Sequence, residues 1–334
     1  MTSDVTSIAV LGAGRMGRLY AQLVEQHPLT RLAALTCRTD ASADRLRSDF
    51  DAPVFASKDP DVLAPIVDEI NAVIIAAPEW AHLAPVRWSA DNGLPTLLEK
   101  PMAGGLDEAL AVAEAGAVLG DRLMLCHVVR FDPRYSTMRN AVAEGAIGRV
   151  RQMYARRNAD QKAAQRILGK CHPAFWLTPH DVDIMRWITG AEVEWLEARY
   201  AASGEAKSDG LFVDLGFSDG SYGRIENSWG TPPLPAPRNC FFDVAGEDGS
   251  IEVSAWEQGI AVHYGDGRVA LPNTTEVCEV DGRIVGAFAN MIDTFVDVAS
   301  GLRSSPAILA DGLATMQVAD AIAKSLSSGR RTVV

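Results

Sequence analysis

Ile8-Ala9-Val10-Leu11-Gly12-Ala13-Gly14-Arg15-Met16-Gly17 decides how the chain folds. Four apolar residues in a row, apolar on both faces, read as a buried strand. The glycines follow at once as GxGxxG, and residues 15–26 carry helix formers with Met16, Leu19, Tyr20 and Leu23 at helical spacing. A glycine triplet alone arises often by chance; set between a strand and a helix it has a physical purpose. Gly12 permits the tight turn, Gly14 lets the backbone approach a pyrophosphate, and Gly17 lets helix and strand pack closely. The helix N-terminus, with Arg15 and Met16 in its first turn, offers N–H groups and a positive dipole end to the phosphates.

Outward from that turn, residues 31–37, 71–76, 96–98 and 123–126 are further apolar strand runs, and residues 106–119 form an Ala-rich helical stretch. Strands apolar on both faces and separated by helices predict a parallel sheet covered on both sides, a Rossmann domain over residues 1–127. The pattern changes near residue 150. Residues 150–156, 193–201, 211–217, 222–227, 240–245, 250–254 and 260–264 read as strands, several joined by hairpin signals such as Ser218-Asp219-Gly220 and Glu247-Asp248-Gly249. Two amphipathic helices follow, one striped by Val285, Phe288, Ile292, Phe295 and Val296, the other by Leu309, Leu313, Met316, Ala319 and Leu326. The expected architecture is α/β: an N-terminal Rossmann domain, then an α+β domain over residues 128–334 built on a mostly antiparallel sheet. Its last helix is free to pack back on the first domain. The Pro-rich residues 231–237 read as a stiff surface loop.

Composition narrows the function. The chain has 334 residues, 48% hydrophobic and 22% charged, with a formal net charge of −12. Such a charge offers no field for nucleic acid or an anionic membrane. No apolar run approaches the roughly 20 residues of a membrane span, and residues 1–6 lack the basic head and apolar core of a signal peptide. Five cysteines (Cys37, Cys126, Cys171, Cys240 and Cys278) lie far apart without zinc spacing, which suits a reduced, cytoplasmic protein. Six dispersed histidines form no metal motif, so no metal is expected.

The end of the second strand bears on cofactor choice. A carboxylate there would bind ribose hydroxyls and favour NAD. The segment is instead Thr36-Cys37-Arg38-Thr39, and Arg38 can pair a 2′-phosphate, so NADP is favoured. Asp40 keeps NAD open.

Four motifs now agree in order and spacing: the GxGxxG, Ala77-Pro78-Glu79-Trp80-Ala81-His82, Glu99-Lys100-Pro101, and His180-Asp181-Val182-Asp183 ahead of a helix. With Arg130-Phe131-Asp132-Pro133 and Gly145-Ala146-Ile147-Gly148, they make the sequence resemble the Gfo/Idh/MocA family, named for glucose–fructose oxidoreductase and inositol dehydrogenase. The resemblance runs through nearly the whole chain. It implies cofactor contacts at Gly12, Gly14, Arg15, Met16, Gly17, Arg38, Ala77, Pro78, His82, Glu99 and Lys100. It implies catalysis by Lys100 and His180, and substrate contacts at Lys100, Trp176, His180 and Asp183.

Physical chemistry supports these roles. An ammonium just past a strand end lies at the ligand crevice of a parallel sheet, where it can polarise a substrate oxygen. A histidine, with an ordinary pKa of about 6.5, exchanges a proton near neutrality with little tuning; a lysine, at about 10.4, needs more. Many family members carry Asp four residues before that histidine, where this chain has Trp176. A carboxylate relay is thereby lost, and Trp176 can offer an apolar wall to a sugar ring. Tyr154, Arg156, Asn158 and His172 are further polar candidates.

The expected reaction is hydride transfer between nicotinamide and a secondary alcohol or carbonyl of a sugar, sugar derivative or cyclic polyol. Two alternatives stay open: reduction or oxidation of a non-sugar semialdehyde, dihydrodiol or imine, and a non-catalytic NADP(H)-binding sensor. A dimer or tetramer is expected on the second sheet, with Trp195, Phe212, Phe217 and Tyr222 on its outer face.

Overall fold

The computed structural model describes residues 5–160, 173–201, 210–231, 238–254, 260–271 and 273–334. The expected loop beyond Thr231, together with Cys171 and His172, lies outside them.

The first strand, β1 (Thr6–Leu11), is buried throughout, as four consecutive apolar residues require. After α1 (Arg15–Gln26) come β2 (Thr30–Cys37), α2 (Asp40–Arg47), β3 (Val54–Ala56), β4 (Ala72–Ile75), α3 (Leu83–Asp91), β5 (Thr96–Leu98), α4 (Leu106–Gly116) and β6 (Leu123–Leu125). The strands pair in parallel in the order β3-β2-β1-β4-β5-β6. This is the Rossmann sheet. Chain direction across the sheet reverses between β1 and β4, so the ligand crevice opens at the carboxyl ends of those two strands. Ile8, Val10, Leu35, Ile74, Ile75 and Leu97 fill its core.

The α-helix expected over residues 106–119 stops at Gly116 and tightens into a 3₁₀ stretch, Ala117–Arg122. Gly120 within that stretch, at φ +53°, leaves the helical region altogether. Two short elements gave no readable pattern. β3 has three residues, and α2 is mostly polar, started by the Thr39 hydroxyl accepting the Ser42 N–H.

The second unit carries α5 (Pro133–Ala143), β7 (Val150–Asp160), the one-turn α6 (Pro173–Trp176), α7 (Thr178–Thr189), β8 (Val193–Tyr200), β9 (Gly210–Phe217), β10 (Tyr222–Thr231), β11 (Arg238–Gly246) and β12 (Ser250–Ser254). Hairpins β13 (Val262–His263) with β14 (Val269–Ala270), and β15 (Cys278–Val280) with β16 (Arg283–Val285), follow, then α8 (Ala287–Ala299), α9 (Leu309–Ser328) and β17 (Thr332–Val333). The large sheet runs β12-β11-β7-β10-β9-β8-β17. It is antiparallel as expected, except for the parallel pair β7–β10. Residues 260–264 do not join it: Val262–His263 pairs only within its own hairpin. β17, too short to announce itself, covers the outer edge of β8.

One face of the sheet, carrying Met153, Ala155, Val213, Leu215 and Ile225, is buried where α7 packs on β7 and β10. Alternation puts Trp195, Phe212 and Tyr222 on the opposite face. Phe217 is not with them; it is buried, a correction to the expected outer face.

The domain division also differs from 1–127 and 128–334. One compact unit ends at Val128 and takes in Glu279–Ala314; the other holds Val129–Cys278 and Thr315–Val334. Packing explains the return. The Phe288 ring of α8 meets Tyr20 of α1 at 6.1 Å between centroids, and the Gln26 side chain bonds both the N–H and the carbonyl of Ile284. The first residues of α9, Leu309–Ala314, belong to the first unit as well.

Candidate active site

The three glycines divide their duties as geometry dictates. Gly12 has φ +96°, and a Cβ on it would lie 2.6 Å from the Ala77 nitrogen just past β4. A Cβ on Gly17 would lie 2.3 Å from the Gly12 carbonyl oxygen. Both are packing glycines, and Thr36 locks the turn by accepting the N–H groups of Gly12 and Ala13. Gly14 is different: its backbone is extended, and a Cβ there would meet nothing within 4 Å. The space over Gly14, at the N-terminus of a helix with no acidic residue in its first turn, fits a dinucleotide pyrophosphate. Arg15 is exposed there and Met16 half-buried.

Arg38 is exposed one residue past β2, beside exposed Thr39 and Asp40. Past β4, Ala77 is half-buried and Pro78 exposed. His82 corrects an expectation. It is wholly buried, with Nδ1 3.1 Å from the Met102 carbonyl oxygen and Nε2 2.9 Å from that of Ala77. It packs between two crevice loops, its one ring N–H bonding one of these carbonyls, and has no surface for a cofactor.

Glu99 follows β5 directly, its N–H donating to the Ile75 carbonyl at 2.9 Å. Its carboxylate turns inward. Oε1 accepts the Tyr20 hydroxyl at 2.5 Å and Oε2 accepts the Lys100 N–H at 2.8 Å. Burial, then the neighbouring Cys126 and Glu99, push the Tyr20 phenol well above its ordinary value, so it remains a donor. Lys100 follows half-buried, and its bond to Pro101 is cis.

His180, Trp176 and Asp183 belong to the second unit. Leu177 caps α7 at its start, Pro179 sits in its first turn, and His180 is buried there. Asp181 and Asp183 flank it, and each is clamped. Asp181 Oδ1 accepts from Arg157 Nε at 2.9 Å and Oδ2 from Asn227 Nδ2 at 3.0 Å. Asn227 Oδ1 accepts the Thr178 hydroxyl at 2.7 Å. Burial raises the Asp181 carboxyl above its usual value, with Arg157 opposing. Asp183 takes a two-pronged grip from Arg130, Nε at 2.9 Å and the terminal nitrogen at 2.5 Å, with side chains only 4% and 2% exposed. Asp183 is thus anchored by Arg130 on the helix that carries His180.

Trp176 is half-buried in α6, four residues ahead of His180. Tyr154 and Asn158 both donate to Glu226, at 2.6 and 3.1 Å, and burial, then Glu226, moves the Tyr154 phenol up to about 12. With Arg156 they lie on the sheet face opposite α7. Among the described residues no cluster of three His, Cys, Asp or Glu side chains is arranged for a metal, and no helix is long and apolar enough to cross a membrane.

Two family models cover most of the chain: an oxidoreductase family with an NAD-binding Rossmann fold matches residues 6–127, and the GFO/IDH/MocA C-terminal domain matches residues 135–252. The chain belongs to the Gfo/Idh/MocA family. As a member it is an oxidoreductase that uses a nicotinamide dinucleotide. Among curated members, inositol 2-dehydrogenase of Rhizobium meliloti is 26% identical over 347 residues, spanning 96% of this chain and 97% of that one. Inositol 2-dehydrogenase of Rubrobacter xylanophilus is 28% identical, spanning 98% and 92%. The crystal structure of apo scyllo-inositol dehydrogenase from Lactobacillus casei superposes with a TM-score of 0.85 over 100% of this chain and 99% of that one, at 18% identity. That last likeness is one of fold.

Tyr20, Arg130, Arg157 and Asn227 were not foreseen as partners of the motif residues. Only Arg130 carried a signal, through its place in Arg130-Phe131-Asp132-Pro133.

Proposed function

We propose that the protein interconverts a secondary alcohol and a ketone on an inositol-like cyclic polyol. The observation that carries this reading is the match to inositol 2-dehydrogenases along 96–98% of this chain. Lys100 polarises the substrate oxygen, as an ammonium at the crevice can. His180 takes the hydroxyl proton in oxidation and returns it in reduction. The bound dinucleotide supplies the hydride-accepting carbon. Trp176 favours a second reading, since an indole where a relay carboxylate often stands suits a less polar substrate, such as a semialdehyde or dihydrodiol.

NADP is the preferred dinucleotide in this proposal, supported by exposed Arg38 and by the lack of a carboxylate at the end of β2. A panel of inositols and sugars with NAD or NADP, followed by absorbance of the reduced cofactor, tests both points. Inositol-dependent reduction is expected, with Arg38→Ala weakening NADP more than NAD. Turnover only with aldehydes or dihydrodiols would select the second reading. A preference for NAD that Arg38→Ala leaves unchanged would refute the cofactor proposal.

The protein assembles, in this proposal, through the open sheet face. Gly216 leaves room there for the Trp195 ring, with Tyr222 at 6.4 Å and Phe212 exposed nearby. Light scattering at micromolar concentration should give the mass of a dimer or tetramer; a mass near 35.8 kDa would refute it. Cys37, Cys126 and Cys278 form no disulfide, which suits a reducing cytoplasm.

A further inference from the structure

Lys100 needs a fixed position, and the structure shows what supplies it. Tyr20 lies in the middle of α1, fully buried, and its hydroxyl reaches the Glu99 carboxylate at 2.5 Å. The same hydroxyl lies 3.5 Å from Cys126 Sγ, beyond the end of β6. The other Glu99 oxygen holds the Lys100 N–H at 2.8 Å. Two residues further on, the Met102 carbonyl lies 3.1 Å from Nδ1 of buried His82. The loop from Glu99 to Met102 is thus tied at Glu99 and packed on His82 at its far end.

A carboxylate this buried, with only 8% of Glu99 exposed, is costly unless its oxygens are satisfied. Tyr20 satisfies one of them and thereby sets the rotamer that offers the other to Lys100. We infer that Tyr20 is a positioning residue: through Glu99 it fixes the backbone of Lys100 from the helix that begins at the pyrophosphate cradle. The catalytic part of this inference rests on the proposed role of Lys100; the structural part does not.

Amide hydrogen exchange on the intact protein tests the structural part without any substrate. In Tyr20→Phe, which removes only the hydroxyl, the Lys100 amide should exchange roughly tenfold faster, the signature of a lost charge-assisted hydrogen bond. The Glu99 amide, bonded to Ile75, should be unchanged. Glu99→Ala should give the same acceleration, and Tyr20→Phe added to it should give no further change, because the two act in one chain. On the substrate that the panel identifies, Tyr20→Phe should lower kcat about tenfold, with KM and cofactor Kd unchanged. An unaltered Lys100 amide in Tyr20→Phe overturns the inference, as does acceleration spread evenly over the sheet, which marks general loosening. If exchange responds as expected and no compound is turned over even by the unaltered protein, the proposed function fails and the Tyr20–Glu99–Lys100 chain stands.

Discussion

Gly14→Val should abolish dinucleotide binding and leave the fold intact. The two halves of that result have separate causes. Gly14 is extended, at φ −75° and ψ −157°, so no positive φ stands in the way of a side chain. A Cβ there has nothing within 4 Å, so the folded protein accommodates it. The loss of a good N-cap residue costs no more than about 1 kcal/mol. The added methyl groups, however, fill the space the pyrophosphate needs, and Kd should rise by at least about a hundredfold, or roughly 2.7 kcal/mol. Gly17→Ala is the opposite case. Its Cβ would stand 2.3 Å from the Gly12 carbonyl oxygen, so the turn must deform. Overpacking of that kind costs about 1–3 kcal/mol of stability. Calorimetric titration and thermal melts of both variants separate the two kinds of glycine. Retained affinity in Gly14→Val would mean that the cradle lies elsewhere.

Under the proposed mechanism, Lys100→Ala and His180→Ala should each lower kcat by roughly a hundredfold or more, because one would remove the polarising charge and the other the proton exchanger. Their effects differ in what survives. His180→Ala should keep normal cofactor affinity, since the glycine turn belongs to a different compact unit. In the proposed mechanism both groups act on one hydroxyl, so the two losses should not add fully in the double variant. Steady-state kinetics and cofactor titration check this. Near-normal turnover in His180→Ala would send the proton by another route, through Lys100 or water.

The sequence patterns were most informative where structure is local. Ile8–Leu11 and the glycine triplet specify strand, turn and helix within ten residues, and the alternation of apolar runs with helices specifies the parallel sheet. Motif likeness placed Lys100 at a strand end and His180 on the first turn of a helix. It did not tell which way a side chain turns. Glu99, His82 and Asp183 all face inward, and their partners are remote: Tyr20 is 79 residues from Glu99, and Arg130 is 53 from Asp183. No local period encodes such pairings. The same holds for Glu279–Ala314, whose apolar stripe showed that α8 must be covered but not that α1 would cover it.

The two buried guanidinium–carboxylate pairs beside His180 constrain how this protein can change over time. Losing one member of such a pair strands a charge and costs about 3–5 kcal/mol, a large share of the 5–15 kcal/mol that holds a domain folded. Replacing both members together with apolar residues is often neutral. Neither Arg130 with Asp183 nor Arg157 with Asp181 can therefore drift by single steps, although a lineage that altered both at once would lose little. The two carboxylates of the His-Asp-Val-Asp segment are thus held to their identity by epistasis with Arg130 and Arg157.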